Sequence, residues 1–158
     1  MTVARGQYDL AIEEDRKRLE LDPNNPRAYL SLGRVYRLKG MYEEALVHIQ
    51  KGITLSGGAP GALSALGYTY AVSGDRDKAR KILQQLTMLS THRYVPPYHI
   101  AFIYAGLGEK DRAFDWLQKA VADRSILEAL LDSQRTELES LRLDPRYGEL
   151  VRRIGLPR

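Results

Sequence analysis

Three histidines, His48, His92 and His99, are the side chains of this 158-residue chain whose ordinary pKa lies near neutrality, and the chain has no cysteine. No two of these histidines stand at the i, i+4 spacing that sets two metal ligands on one helix face. Without thiolates, a disulfide framework and thiolate metal sites are excluded. The acidic pairs Glu13–Glu14 and Glu43–Glu44 are exposed helix charge, paired locally with lysines and arginines. "GLGEKD" at 106–111 begins like a dinucleotide fingerprint, but it lacks the third glycine and follows a helix where a strand is required. "SGGAPG" at 56–61 precedes a helix N-terminus, a place where backbone N–H groups can hold an anion, and a loop between two helices accounts for it more simply. No nucleophile–base pair can be placed. The expectation is a chain with no catalytic residues, no metal and no cofactor.

The bulk numbers describe the body that carries these residues. Apolar content of 44% and charged content of 28% fit a globular protein, with a core that a single domain of residues 1–158 can bury. No apolar run approaches the roughly 18 residues of a membrane span, and "MTVARGQYDL" lacks a signal-peptide core, so the expected setting is cytoplasmic and away from the membrane. Net charge is +4, with much of the excess in "RLDPRYGELVRRIGLPR". That basic tail makes nucleic-acid binding an alternative to be weighed.

Helical periodicity dominates, and it repeats. "GRVYRLKGMYEEA" from Gly33, "GYTYAVSGDRDKA" from Gly67 and "AFIYAGLGEKDRA" from Ala101 are 34 residues apart. The columns run Leu32, Leu66, Ile100; Tyr36, Tyr70, Tyr104; Gly40, Gly74, Gly108; Ala45, Ala79, Ala113; and Ile49, Leu83, Leu117. Gly6, Tyr8 and Ala11 form a half-copy one period earlier. Glycine inside a helix costs about 1 kcal/mol against alanine, which makes sense where a second helix approaches closely. The second glycine column suits a left-handed helix end. The leucine and tyrosine columns share one helix face. The spacing predicts helices over 7–20, 27–39, 42–55, 61–73, 76–89, 96–107 and 110–123.

On these columns the chain resembles the tetratricopeptide repeat family, over about three units and one half-unit. The family order is visible in "YLSLGRVYRLKGMYEEA". It departs where Leu63 and Pro97 replace the aromatic Tyr29, and where Gly57, Thr91 and Ser125 replace the closing proline seen as Pro23. The resemblance implies an all-α, right-handed α-solenoid of helix-turn-helix units: 6–25 as a half repeat, 26–59, 60–93 and 94–125 as full repeats, and 126–158 as a C-terminal helical cap. The cap should offer two or three short helices, with Pro145 opening the last, and should shield Phe114, Leu117 and Val121; Arg135 and Arg142 stand where the glycine columns would fall. "YVPPYHIAFIYAGLGEKDRAFDWLQKAV" and "LRLDPRYGELVRRIGLP" are also similar to the C-terminal repeat arrays of bacterial signalling proteins of adenylate cyclase, serine/threonine kinase and winged-helix regulator type. That likeness implies a C-terminal piece of such a protein or a stand-alone relative.

The resemblance further implies a concave groove, made by the first helix of each unit, that binds protein segments. Carried onto this chain, the groove is lined by Arg27, Leu30, Arg34, Arg37, Ser64, Tyr68, Tyr98, His99 and Phe102. The carboxylate clamp of the chaperone-tail binders is absent, since its positions are Leu30, Arg34, Ala65, Val95 and His99. What remains is arginine at one end and aromatic rings at the other. The expected partner is a protein or peptide with acidic residues and apolar ones, and the expected role is scaffold or regulatory arm. Packing between units is the competing role for Tyr68 and Phe102. Self-association through an apolar strip around Tyr8, Ile12 and Leu19 is the alternative function, with a homo-oligomer as its result.

Overall fold

The computed structural model describes residues 2–131 and 136–155. Prolines and capping side chains start most of the repeat helices and the last helix of the tail, and glycines of positive φ end several helices. The order is α1 Thr2–Leu21, α2 Pro26–Leu38, α3 Tyr42–Ser56, α4 Pro60–Ser73, α5 Arg76–Leu89, α6 Pro97–Gly106 and α7 Lys110–Ala122. The tail adds α8 Ile126–Leu131, a short 3-10 turn Glu139–Leu141 and α9 Pro145–Arg153. Arg135 and residues 156–158 of the expected cap lie outside the described residues. Helix α1 starts five residues before the expected 7–20 boundary. Gly6 does not stop it, because an exposed glycine with open space around its α-carbon weakens a helix without breaking it.

Local chemistry explains the boundaries. Asn25 Oδ1 accepts from the N–H groups of Arg27 (3.0 Å) and Ala28 (3.2 Å), and Pro26 fills the first turn of α2. Pro60, Pro97 and Pro145 open α4, α6 and α9 in the same manner. The turns that close α2, α4 and α6 are copies of one another. Gly40, Gly74 and Gly108 have φ of +76°, +94° and +77°. The next residue then donates its N–H to the carbonyl of the column tyrosine: Met41 to Tyr36 (2.9 Å), Asp75 to Tyr70 (2.9 Å) and Glu109 to Tyr104 (3.0 Å). An L side chain strains that backbone, so the column is glycine.

The helices pair as α2 with α3, α4 with α5 and α6 with α7, and the pairs stack through α3–α4 and α4–α6. A Cβ at Gly33 would stand 2.4 Å from Ile49 Cγ1 and 3.2 Å from the Ala45 carbonyl oxygen. Ala45, Ala79 and Ala113 have no exposed surface. Helix α1 lays Ile12 against Leu32, Val35, Tyr36 and Ala45, with Tyr8 and Leu19 half-covered beside them. A larger cluster runs from Leu63 through α5, α6 and α7 to Ile126, Leu141 and Leu150 of the tail. Helix α9 docks on α7: the Arg146 guanidinium lies 4.4 Å from the Phe114 ring centroid and pairs with Asp111 at 2.8 Å. Phe114 and Leu117 are buried and Val121 is half-buried, and α9 covers this end of the stack.

A Cβ at Gly67 would meet Ile103 Cδ1 at 2.5 Å and Ile82 Cγ2 at 3.0 Å, whereas one at Gly148 in α9 would meet nothing within 4 Å. Gly67→Leu should therefore cost about 1–3 kcal/mol by overpacking, while Gly148→Ala should stabilise by about 0.5–1 kcal/mol. Urea unfolding of the two variants checks both signs. Asp144 caps α9 by accepting from the Arg146 N–H (3.0 Å) and from its guanidinium, and these bonds hold its carboxyl down from 3.8 to about 2. Its contribution to stability should be complete above pH 3.8 and disappear as pH falls through about 2. An NMR titration of the Asp144 carboxyl carbon, with the midpoint expected at about 2, measures it.

Candidate functional site, an arginine-lined cavity

Positions 27, 30, 31, 34 and 37 of α2 recur at three and four residues, so they form one stripe. The other stripe, Ala28, Leu32 and Val35, is buried. The first stripe walls a cavity of about 600 Å³ between α2, α4 and α6. Arg27, Leu30, Arg34 and Arg37 come from α2, Ser64 from α4, and His99 and Phe102 from α6. Of the residues expected in the groove, seven thus meet at one cavity; Tyr68, whose ring lies against Arg37, and the buried Tyr98 do not line it. Ser31, Gly61 and Ala65 complete its repeat-borne lining, and two further charged residues contribute that the columns did not indicate: Arg18 of α1 and Glu137 of the tail.

Arg37 and Glu137 are the centre of the site. Their side chains are 4% and 10% exposed, and Arg37 Nη2 donates to Glu137 Oε1 at 3.4 Å. The Arg37 guanidinium also lies 4.7 Å from the centroid of the Tyr68 ring. Burial pulls Arg37 below its usual value, with the Glu137 carboxylate as the main opposing influence. Burial likewise pushes the Tyr68 phenol up. Arg18 pairs with the buried Asp15 at 3.1 Å. The wall carries four arginines and one carboxylate, an arrangement that favours anions.

The aromatic end has a different character. Tyr98 and Phe102 are 3% and 2% exposed, with ring centroids 5.4 Å apart, and His99 meets Phe102 edge-on at 6.3 Å. The Tyr98 hydroxyl donates to Glu128 of α8 at 3.1 Å. Ser64 Oγ donates to the His99 carbonyl at 2.8 Å, tying α4 to α6. Chain atoms thus cover most of the ring surface here, and the accessible part of the cavity is its arginine end. Among the described residues, no group of three or more His, Asp or Glu is placed to hold a metal ion. No helix among them is long and apolar enough to cross a membrane. A signal for Glu137 did exist. The column of Arg37 continues as Ala71 and Ala105, so a cation stands on an inward stripe where the other units place alanine. A buried cation requires a carboxylate, and the tail supplies candidates in Glu128, Glu137 and Glu139.

Comparison with known proteins agrees with the repeat. A TPR-repeat family model matches residues 1–40, and two tetratricopeptide-repeat models match residues 26–57 and 60–85. These matches end at residue 85; beyond it, the Gly108 turn and the α6–α7 pair continue the pattern in the structure. No curated protein matches the chain. Among solved structures, a crystal structure of MamA is similar with a TM-score of 0.51 and 24% identity, covering 94% of this chain and 87% of that one. A second crystal structure of MamA protein gives 0.49 and 25%, covering 95% and 80%. The first likeness concerns the fold: an all-α solenoid of tetratricopeptide repeats.

Removing one partner of a buried pair leaves the other charge uncompensated, so Glu137→Gln should cost about 3 kcal/mol. Arg37→Met combined with Glu137→Leu should cost clearly less than the sum of the two single changes. A double-mutant cycle by urea denaturation reads the coupling.

Proposed function

From a chain built of tetratricopeptide repeats, we propose a non-catalytic protein–protein interaction module whose arginine-lined cavity grips an acidic segment of another protein. Repeats of this family form interaction scaffolds. The observation that carries the finer reading is the convergence of Arg18, Arg27, Arg34 and Arg37 on the cavity, where Glu137 is the one carboxylate among its described lining residues and Arg27 stands exposed. Guanidinium groups present forked donors matched to carboxylates. The apolar part of the ligand would lie toward Leu30, which is half-buried and shares the α2 stripe with Arg27 and Arg34. The module would then serve as scaffold or regulatory arm, in the manner of the repeat arrays of bacterial signalling proteins.

The basic tail supports this reading over nucleic-acid binding, because four of its arginines among the described residues are engaged within the chain. Arg142 pairs with Glu139 at 3.1 Å, Arg146 with Asp144 and Asp111 at 2.8 Å each, Arg152 with Glu149, and Arg153 donates to Gln118.

An array of peptides bearing two to four acidic residues next to apolar ones, probed with the full chain, tests the proposal. Micromolar affinities are expected, on the order of what a small interface supports, with association slowing as salt rises. Arg27→Glu and Arg34→Glu should each weaken binding at least tenfold with the helical signal unchanged. Peptides that bind wild type and both variants equally would place recognition elsewhere on the molecule.

A further inference from the structure

The cavity already holds one acidic residue, and that residue belongs to the chain itself. Glu137 lies 100 positions beyond Arg37, between α8 and α9 of the tail that leaves the repeat pattern. The stretch around it presents a defined chemistry: a buried carboxylate on Arg37, then Leu138 at 7% exposure and Leu141 at 0%, both in the core cluster beside α6. Glu139 and Ser140 between them point to solvent. The pattern is an acid with apolar residues one and four places later, and the 3-10 turn Glu139–Leu141 follows the acid and sets the spacing of the two leucines.

Resting on the reading of the cavity as a protein-binding site, we infer that residues 136–141 are its internal ligand. The partner is a segment with the same pattern, Glu followed by leucine-type residues at +1 and +4, and it binds by exchanging with this stretch. Two observations support exchange over simple addition. The Arg37 guanidinium is 4% exposed while Glu137 covers it, so a second carboxylate reaches it only after Glu137 leaves. The internal stretch is also a partial occupant: about 600 Å³ beside it stays open, with Arg27 exposed on the wall and without an ion-pair partner among the described residues. A partner longer than one turn gains contacts there that the tail does not make, which offsets the effective concentration of a tethered competitor. The surroundings of the pair argue for a carboxylate in particular. Burial disfavours the Arg37 cation and the Glu137 charge opposes that effect, so an apolar segment of the same shape would leave a bare buried cation.

The probe is a fluorescent peptide of residues 136–145, TELESLRLDP, titrated by anisotropy into the full-length chain. Wild type should bind it weakly, and full-length Glu137→Gln, which keeps the shape and removes the competing charge, at least tenfold more tightly. The peptide with Gln in place of its first Glu should lose that gain. Hydrogen exchange on wild type, which needs no variant, should show amides 136–142 losing at least tenfold protection at saturating peptide while α7 is unchanged. Equal affinity for wild type and Glu137→Gln, or no loss of protection at 136–142, overturns the exchange. If binding in that case still falls with Arg34→Glu, the cavity remains the binding site and only the internal-ligand proposal fails. If Arg34→Glu has no effect on any acidic peptide, the failure is that of the binding reading itself.

Discussion

How near two helix backbones can come is the constraint on which this array depends. At Gly33 the missing Cβ lets Ile49 and the α3 backbone occupy the space beside α2. One unit on, Gly67 admits Ile103 of the following pair as well as Ile82 of its own. The same column therefore does two things: it closes a pair in one unit and joins pairs in the next. Gly52 and Gly106 add a second set of contacts, against Leu30 and against Tyr68 with Ala71. Close packing at these points brings α2, α4 and α6 side by side, and the arginine stripe faces a cavity only because they are.

Given that scaffold, the cavity is an exception to its economy. An apolar residue at position 37 would pack without a counter-charge, as Ala71 and Ala105 do in the equivalent positions. The chain instead buries a guanidinium on Tyr68 and supplies Glu137 from the opposite end. Buried pairs are weak contributors to net stability, since desolvation cancels much of their attraction. What this pair fixes is a position for the tail, because an uncompensated Arg37 would be left buried wherever Glu137 is absent. The tail is laid against the first helices, in addition to its docking on α7.

What was legible beforehand follows from range. Each turn glycine, each opening proline and the Asn25 cap acts within a few residues, so the helix starts and ends of the repeats were readable from the chain alone. Helix α1 ran long because its upstream boundary has no comparable stop signal, only the solvent-exposed Gly6. The α2 stripe was readable from its spacing. Glu137 was not placed, because the tail has no period and therefore no register against the repeats. The rings of α6 show the intermediate case. Tyr98 and Phe102 were expected on an open groove, yet every residue from Pro97 to Ala105 is buried. The segment "PYHIAFIYAG" has almost no polar stripe, and a helix that is apolar all round is covered on every side. That property was present in its composition and indicates a covering element, which the tail supplies.

The Arg37–Glu137 contact also changes the connectivity of the fold. A stack of helix pairs is topologically a line: each pair touches the one before and the one after, and disorder at one end need not reach the other. The N-terminal cluster around Ile12 and Leu32 and the larger cluster from Leu63 to Leu150 are separate bodies of apolar contact of that kind. A bond between residues 37 and 137 closes the line into a loop, because α2 now touches both its neighbours and the far terminus. The array thereby gains a contact between its N-terminal and C-terminal parts that a line of nearest-neighbour pairs lacks, at the point where its tail crosses back over the first helix pair.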